Sequence, residues 1–321
     1  MKPTLTILDD YQDVALKMAD WTVVRERFEF DVVTEHISDI DALAERLRQS
    51  EVVVAMRERT PFPAALLERL PELRLLITTG MGNASFDLAA AQAQGITVCG
   101  TGGAGNGVVE LTIGMMVALT RSFAPEDRAV RDGGWQHTIG PGLAGHTLGV
   151  VGLGRLGRPV AQVAQTLQMD VVAWSPHLTE ERAAEVGARA VSKDELFASA
   201  DLITIHMPLA PATRGLISAA DLARMKPTSY LINTSRGPIV DEAALIEVLA
   251  EGRIAGAGLD VYDTEPLPAN HPLRRTPNTL LLPHIGYVTT DAYRAFYRGA
   301  VEDITAFYAG SPVRVLAAPE R

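Results

Sequence analysis

Short apolar runs alternate with helix-patterned stretches from the start of the chain: TLTIL at 4–8, EVVVAM at 51–56, LRLLIT at 73–78 and GITVC at 95–99. The intervening segments PFPAALLERL and FDLAAAQAQ have helical composition, so the pattern predicts a βα array built on a parallel sheet. TGGAGNG at 101–107 interrupts it and precedes an apolar stretch from Val108 to Leu119. Those glycines lack the spacing of a phosphate loop and have no strong strand before them, so they predict a hinge leading into a buried helix. A second array starts at Thr147 with LGVV, DVVAW, LITIH, YLINT, AGLDV and LLLP, six strands with helices or loops between them. Helix starts agree with this register: Ser192-Lys193-Asp194-Glu195 fits a capping box, and Asp241 can cap EAALIEVLAEG. An apolar-patterned helix is expected from Thr289 to Ala309.

Composition narrows the function classes. At 321 residues the chain exceeds one typical core, so two domains are expected. The net charge of -10, with no local block of Lys or Arg, supplies no footprint for a nucleic-acid backbone. Cys99 has no partner for an intrachain disulfide, and Met1-Lys2-Pro3 runs into an alternating strand, not a signal-like apolar core. A cytoplasmic setting is therefore expected. No apolar run approaches the roughly 18 residues of a membrane span. The nearest candidate, Leu111–Leu119, is flanked by Glu110 and Arg121.

Candidate chemistry begins at Gly152-Leu153-Gly154-Arg155-Leu156-Gly157, which follows LGVV and opens a helix with one apolar face. In that context Gly152 permits the tight turn, Gly154 lets a pyrophosphate approach the backbone, and Gly157 allows close helix packing. The acidic residue that takes the adenine ribose hydroxyls normally lies about 20 residues on. Here the second strand ends instead in Trp174-Ser175-Pro176-His177, and Arg182 is a helical turn or more away. The expected cofactor is NAD or NADP, with NAD placed first and Ser175 at the ribose end.

Three further strand ends carry polar residues: Asn233–Gly237, Leu259–Pro266 and Pro283–Gly286. Hydride transfer to a carbonyl needs a proton donor, a group that holds the donor's charge state and a cation for the substrate anion. His284, Glu265 and Arg236 supply one of each, although Asp260 or Asp263 could stand in for Glu265 on these grounds alone. The guanidinium of Arg236 suits a planar 2-keto acid, to which it can donate two parallel bonds. Arg57 reads equally well as a solvated charge, and Arg59 reads better as one. His36, His137, His146, His177 and His271 show no metal-ligand pairing, so no metal is expected.

Taken in order, GLGRLG, His206-Met207-Pro208-Leu209, NTSRG, Asp260–Pro266 and PHIG resemble the D-isomer-specific 2-hydroxyacid dehydrogenases across nearly the whole chain. The resemblance implies an α/β protein with two doubly wound parallel-sheet domains. A Rossmann NAD(P)-binding domain at 104–286 would be inserted into a flavodoxin-like substrate-binding domain at 1–103 plus 287–321. It implies that Arg236 binds the substrate carboxylate and carbonyl, that Glu265 tunes His284, and that His284 exchanges the proton. Cofactor contacts are expected from Arg155, Leu156, His206, Pro208, Thr234 and Asp260 besides the three glycines and Ser175. Substrate contacts are expected from Arg57 and from Met81 and Gly82 in the Thr79–Asn83 turn.

The reaction so implied passes a hydride between nicotinamide C4 and C2 of a small 2-keto acid such as glyoxylate or hydroxypyruvate. A phosphoglycerate dehydrogenase-like enzyme, with Arg57 or Arg59 taking the phosphate, is an alternative. An NAD(H)-sensing, corepressor-like interaction protein is one of another class. A formate dehydrogenase would carry Gln at Glu265. Two departures stand out: Ser175 in place of the acid, and Glu58 between two arginines. The family also implies a homodimer, for which Trp135 is a contact candidate if it is not internal packing.

Overall fold

Apolar runs that are buried on both faces belong in the middle of a parallel sheet, and this decides the arrangement of the first unit. The computed structural model describes residues 2–319 and divides into two units, one running to Gly105 and resuming at Thr289, the other Asn106–Val288. The first unit contains β1 (Thr4–Ile7), β2 (Glu29–Val32), β3 (Ser50–Ala55), β4 (Leu75–Thr78) and β5 (Thr97–Gly100). They lie in the order β2-β1-β3-β4-β5, all parallel, and the strand Val315–Ala317 adds antiparallel to β5. Register is set by pairs such as Leu5 with Val52 and Val53 with Leu76.

Two strands of this unit escape the sequence pattern. β2 (EFDV) is an edge strand that keeps one exposed and three half-buried positions, so no apolar run marks it. The C-terminal strand is three residues long, too short to show a period. The helix Thr290–Tyr308 is capped by Thr289, whose hydroxyl accepts from the Ala292 amide at 3.2 Å. It buries Tyr293, Phe296, Tyr297, Ala300 and Ile304.

The second unit holds β6 (Thr147–Val151), β7 (Asp170–Trp174), β8 (Arg189–Ala190), β9 (Leu202–Ile205), β10 (Tyr230–Asn233), β11 (Gly256–Leu259) and β12 (Thr279–Leu281). All pairs are parallel, in the order β8-β7-β6-β9-β10-β11-β12. The count therefore corrects the sequence reading of six. The two-residue β8 takes third place in the 3-2-1-4-5-6 order of a dinucleotide-binding sheet, and the LLLP run becomes a seventh strand. The order reverses between β6 and β9, and ligands of such sheets bind outside the strand C-termini at that point.

One helix start also needs correcting. Ser192 does cap its helix by accepting from the Glu195 amide at 3.1 Å, but the Glu195 carboxylate turns to Arg189 at 2.7 Å and does not reciprocate. The reciprocal box is at Ser218 and Asp221. The apolar stretch after the glycines is a helix, Gly107–Thr120, whose Val109, Met115 and Met116 are buried. No single helix among the described residues is long and apolar enough to cross a membrane.

Candidate active site

The loop after β6 is shaped by what its glycines exclude. Gly152 has φ +98, and a Cβ there would lie 2.9 Å from the His206 carbonyl oxygen; a Cβ on Gly157 would lie 2.1 Å from the Gly152 oxygen. Around Gly154, by contrast, nothing stands within 4 Å of such an atom. Gly152 thus fits the loop against the residue after β9 and Gly157 closes it upon its own backbone, while Gly154 leaves an open approach to the N-terminus of the helix Gly157–Thr166. That cradle fits a dinucleotide pyrophosphate, whose oxygens would meet free amides and the positive end of the helix. Arg155 is exposed on the same loop and Leu156 is half-buried. Ser175 directly follows β7, where its carbonyl accepts from the Leu178 amide at 3.1 Å.

His206 meets this loop through its main chain, its amide donating to the Val151 carbonyl at 2.8 Å. Both of its ring nitrogens are shielded from solvent without a hydrogen-bond partner among the described residues, and burial pulls the imidazole down to about 4. It is therefore a neutral ring. Pro208 is exposed just beyond it.

At the end of β10, Asn233 wires the following loop from within. Its Oδ1 accepts from the Ser235 amide at 3.0 Å, and its Nδ2 donates to the Arg236 carbonyl at 2.9 Å. The Ser235 hydroxyl donates to the Met207 carbonyl, and one Arg236 guanidinium nitrogen donates to the Ser235 carbonyl at 2.7 Å. Gly237 is indispensable here, because a Cβ would sit 2.0 Å from the carbonyl carbon of Tyr262. Half-buried Arg236 is thus carried on a backbone fixed from three sides.

His284 and Glu265 come together across 19 residues of sequence, Nδ1 to Oε2 at 2.5 Å. The other carboxylate oxygen of Glu265 accepts from the Tyr262 amide at 2.9 Å, and the Glu265–Pro266 peptide is cis. Tyr262 in turn donates its hydroxyl to the Leu282 carbonyl at 2.9 Å, tying the segment after β11 to the segment after β12. Because the carboxylate accepts a hydrogen bond from Nδ1–H, the opposite ring nitrogen, Nε2, is left to exchange a proton with a substrate.

His284 has φ +54, a left-handed backbone that costs a non-glycine residue about 1–3 kcal/mol. The next two amides explain why it persists. Ile285 donates to Oδ1 of Asp260 at 2.7 Å, and Gly286 donates to Oδ2 at 2.9 Å. Burial raises the Asp260 carboxyl above its usual range, while these two amides pull the other way. Both of its oxygens are engaged in positioning the histidine loop, a task that the sequence did not show.

In the first unit, Arg57 (φ +52) and the turn after β4 form a local group. The Arg57 amide donates to the Thr79 hydroxyl at 2.9 Å and its guanidinium to the Thr79 carbonyl at 3.2 Å. Asn83 donates to the Arg57 carbonyl at 2.6 Å. Gly80 lies beneath the guanidinium with φ +91, a backbone that strains any residue with a Cβ. Met81 and Gly82 are exposed on that turn. Arg57 is therefore no loose surface charge. Among the described residues no three His, Cys, Asp or Glu side chains gather as a metal site.

Asn233, Tyr262 and the second role of Asp260 were missed by sequence reasoning. Asn233 and Tyr262 lie inside the motifs already singled out, but nothing in their spacing says which polar group faces the backbone.

Residues 113–286 match the model of the D-isomer specific 2-hydroxyacid dehydrogenase NAD-binding domain. A D-3-phosphoglycerate dehydrogenase of Archaeoglobus fulgidus is 37% identical over 265 residues, covering 81% of this chain; the chain spans about half, 50%, of that relative's length. A glyoxylate reductase of Thermofilum pendens is 33% identical over 96% of this chain and 89% of its own. A solved phosphoglycerate oxidoreductase of Vibrio cholerae superposes with a TM-score of 0.91 at 34% identity, covering 97% of this chain and 100% of that one. With a seven-stranded sheet in dinucleotide-binding order, a glycine loop after β6 and the paired His284 and Glu265, the chain belongs to the D-isomer specific 2-hydroxyacid dehydrogenase family.

Proposed function

We propose that the protein is an NAD(P)-dependent reductase of a small 2-keto acid, such as glyoxylate or hydroxypyruvate. The observation that carries this reading is the contact of His284 Nδ1 with Glu265 at 2.5 Å, which fixes the ring so that Nε2 delivers the proton. A reduced nicotinamide, when bound, supplies the hydride to C2. Arg236 holds the carboxylate by parallel N–H donors and draws charge onto the carbonyl oxygen. That oxygen takes the proton from Nε2, so keto acid, NAD(P)H and one proton give 2-hydroxy acid and NAD(P)+. Glu265 balances the positive ring before transfer. In the first unit, Arg57 with the Thr79–Asn83 turn is our assignment for further substrate contacts.

Glu58 Oε2 lies 3.6 Å from Arg57 Nε. That pairing spends part of the charge a phosphate would need, and so favours an uncharged substituent over phosphoglycerate. The test is a panel of 2-keto acids, 3-phosphohydroxypyruvate included, with NADH and NADPH, comparing wild type with His284→Asn. Equal turnover by the two proteins would refute the proton donor. Tight NADH binding without reduction of any keto acid would favour the sensor reading.

Our reading includes a homodimer in the cytoplasm. Phe123 (55% exposed), Trp135 (74%) and Ile139 (103%) lie uncovered on one stretch of the second unit, which favours a contact role for Trp135 over internal packing. Glu126 accepts from the His137 amide at 3.0 Å and from the Thr138 amide and hydroxyl at 2.6 and 2.7 Å, so the loop bearing them is organised in advance. Sedimentation of Trp135→Ser at falling concentration tests it; unchanged mass would refute this face.

A further inference from the structure

The helix Gly107–Thr120 is apolar for most of its length, yet it buries two threonines completely, Thr112 and Thr120, and the Thr120 hydroxyl is satisfied within the helix by the Met116 carbonyl at 2.9 Å. Thr112 is 0% exposed, and its Oγ1 lies 2.7 Å from the Val108 carbonyl oxygen and 2.8 Å from Oγ1 of Thr234, itself buried at the end of β10. The carbonyl has no proton to give, so the single proton of Thr112 must lie on the Val108 bond. It follows that Thr234 donates to Thr112. The hydroxyl of Thr234 is thereby held in one rotamer, two residues before Arg236.

The same end of the helix reaches the histidine loop. Gly286, whose amide is held by Asp260, packs against it so closely that a Cβ there would lie 3.2 Å from the Val108 side chain. Asn233, Ser235 and Gly237 fix the arginine loop by contacts among the strand ends. The Thr112–Thr234 bond connects that loop to a helix, and this helix is the one by which the chain enters the second unit.

We infer that Thr112 is a positioning residue: through Thr234 it sets the place of Arg236, and thus the affinity for the substrate carboxylate, without touching substrate or cofactor. The inference rests on the assignment of Arg236 as the carboxylate-binding residue. Valine at 112 keeps the shape of threonine but leaves the Thr234 hydroxyl without its acceptor, and a buried donor so orphaned turns to seek another.

The experiment measures binding of oxamate, an unreactive planar analogue of a 2-keto acid, to the full chain saturated with NADH, together with KM, kcat and the NADH dissociation constant. Thr112→Val is expected to weaken oxamate and raise KM about tenfold, to lower kcat less, and to leave NADH binding within about twofold. Thr112→Ser, which restores the hydroxyl, should bind oxamate as wild type does. Thr234→Val removes the same bond from the other side. The double variant should lose no more than Thr234→Val alone, since one bond is deleted twice. Should Thr112→Val not fold, Thr112→Ala against Thr112→Ser carries the same comparison; Thr234 is itself an expected cofactor contact, so its variant is read on oxamate alone.

Unchanged oxamate affinity in Thr112→Val, a serine variant as weak as valine, or additive losses in the double variant would each overturn the inference. Arg236→Lys separates it from the underlying reading. If that change leaves oxamate binding intact, the carboxylate assignment fails, and the Thr112 proposal with it. If Arg236→Lys abolishes binding while Thr112→Val does not alter it, only the proposal fails.

Discussion

Replacing Asp260 by asparagine tests how the histidine loop is held. The carboxylate accepts one amide on each oxygen, from Ile285 at 2.7 Å and Gly286 at 2.9 Å, and is 1% exposed. Asparagine has nearly the same shape but one acceptor, so one amide must face an NH2 group. A hydrogen bond to a charged group contributes about 1.5–3 kcal/mol, and the amide left unpaired costs a comparable amount. Against this, the neutral side chain relieves the burial that pushes the Asp260 carboxyl up. The balance is a loss of about 2 kcal/mol, or a fall of about 4–8 °C in the transition of the second unit.

The kinetic effect should be larger. With one anchor gone, the left-handed backbone of His284 relaxes, and the ring leaves the geometry in which Glu265 holds it. A shift near 1 Å at a reacting group costs about a hundredfold, so kcat/KM should fall by that order while NADH binding changes little. Differential scanning calorimetry and steady-state kinetics on Asp260→Asn measure both quantities, with Asp260→Ala as the more severe control. An Asn variant with wild-type melting and kcat/KM would show that these two bonds do not position the histidine.

Gly157→Ala should weaken NADH binding and destabilise the second unit by about 1–3 kcal/mol. Its Cβ would meet the Gly152 carbonyl oxygen, a backbone atom that cannot rotate away, at 2.1 Å; an alanine variant with wild-type NADH affinity in a fluorescence titration would contradict this. Ser175→Asp places a charge at the end of β7 and should weaken NADPH selectively, an outcome read from the two dissociation constants. In the first unit, burial raises Asp303 to about 7, despite bonds of 3.0 and 2.9 Å from Arg314. Unfolded, the group titrates near the ordinary value of about 3.9. The folded chain therefore holds an extra proton between roughly pH 4 and pH 7, so the contribution to stability is complete below pH 4 and is lost as the pH rises through 7. At about 1.4 kcal/mol per unit the difference reaches the order of 4 kcal/mol. Asp303→Asn should flatten that stretch of the melting-temperature profile, and a variant profile parallel to wild type would contradict the assignment.

The legible parts of the chain are those whose signal is local. A phosphate loop is a run of six residues between a strand and a helix, and its glycines are dictated by contacts within that run, such as Gly157 on Gly152. Central strands such as β3 and β4 show as apolar runs because both faces are covered. β8 and β2 were invisible for the opposite reason: two residues make no period, and an edge strand with an exposed face carries no apolar run. Ser192 illustrates a third case, in which the local pattern was right about the cap and wrong about Glu195, because Arg189 offered the carboxylate a charged partner.

The sequence by itself determined which residues could do chemistry, since an arginine, a glutamate and a histidine in ordered motifs after a dinucleotide loop admit few reactions. Only the tertiary structure decided what holds them. That Asp260 anchors two amides 25 and 26 residues away, that Tyr262 reaches both Leu282 and Glu265, and that Thr112 bonds Thr234 across 122 residues depends on which strand ends lie side by side. Strand order in a parallel sheet is set by crossover connections and by burial over the whole unit. A hydrogen bond between residues brought together in that way leaves no period, spacing or composition in the chain from which it could be read.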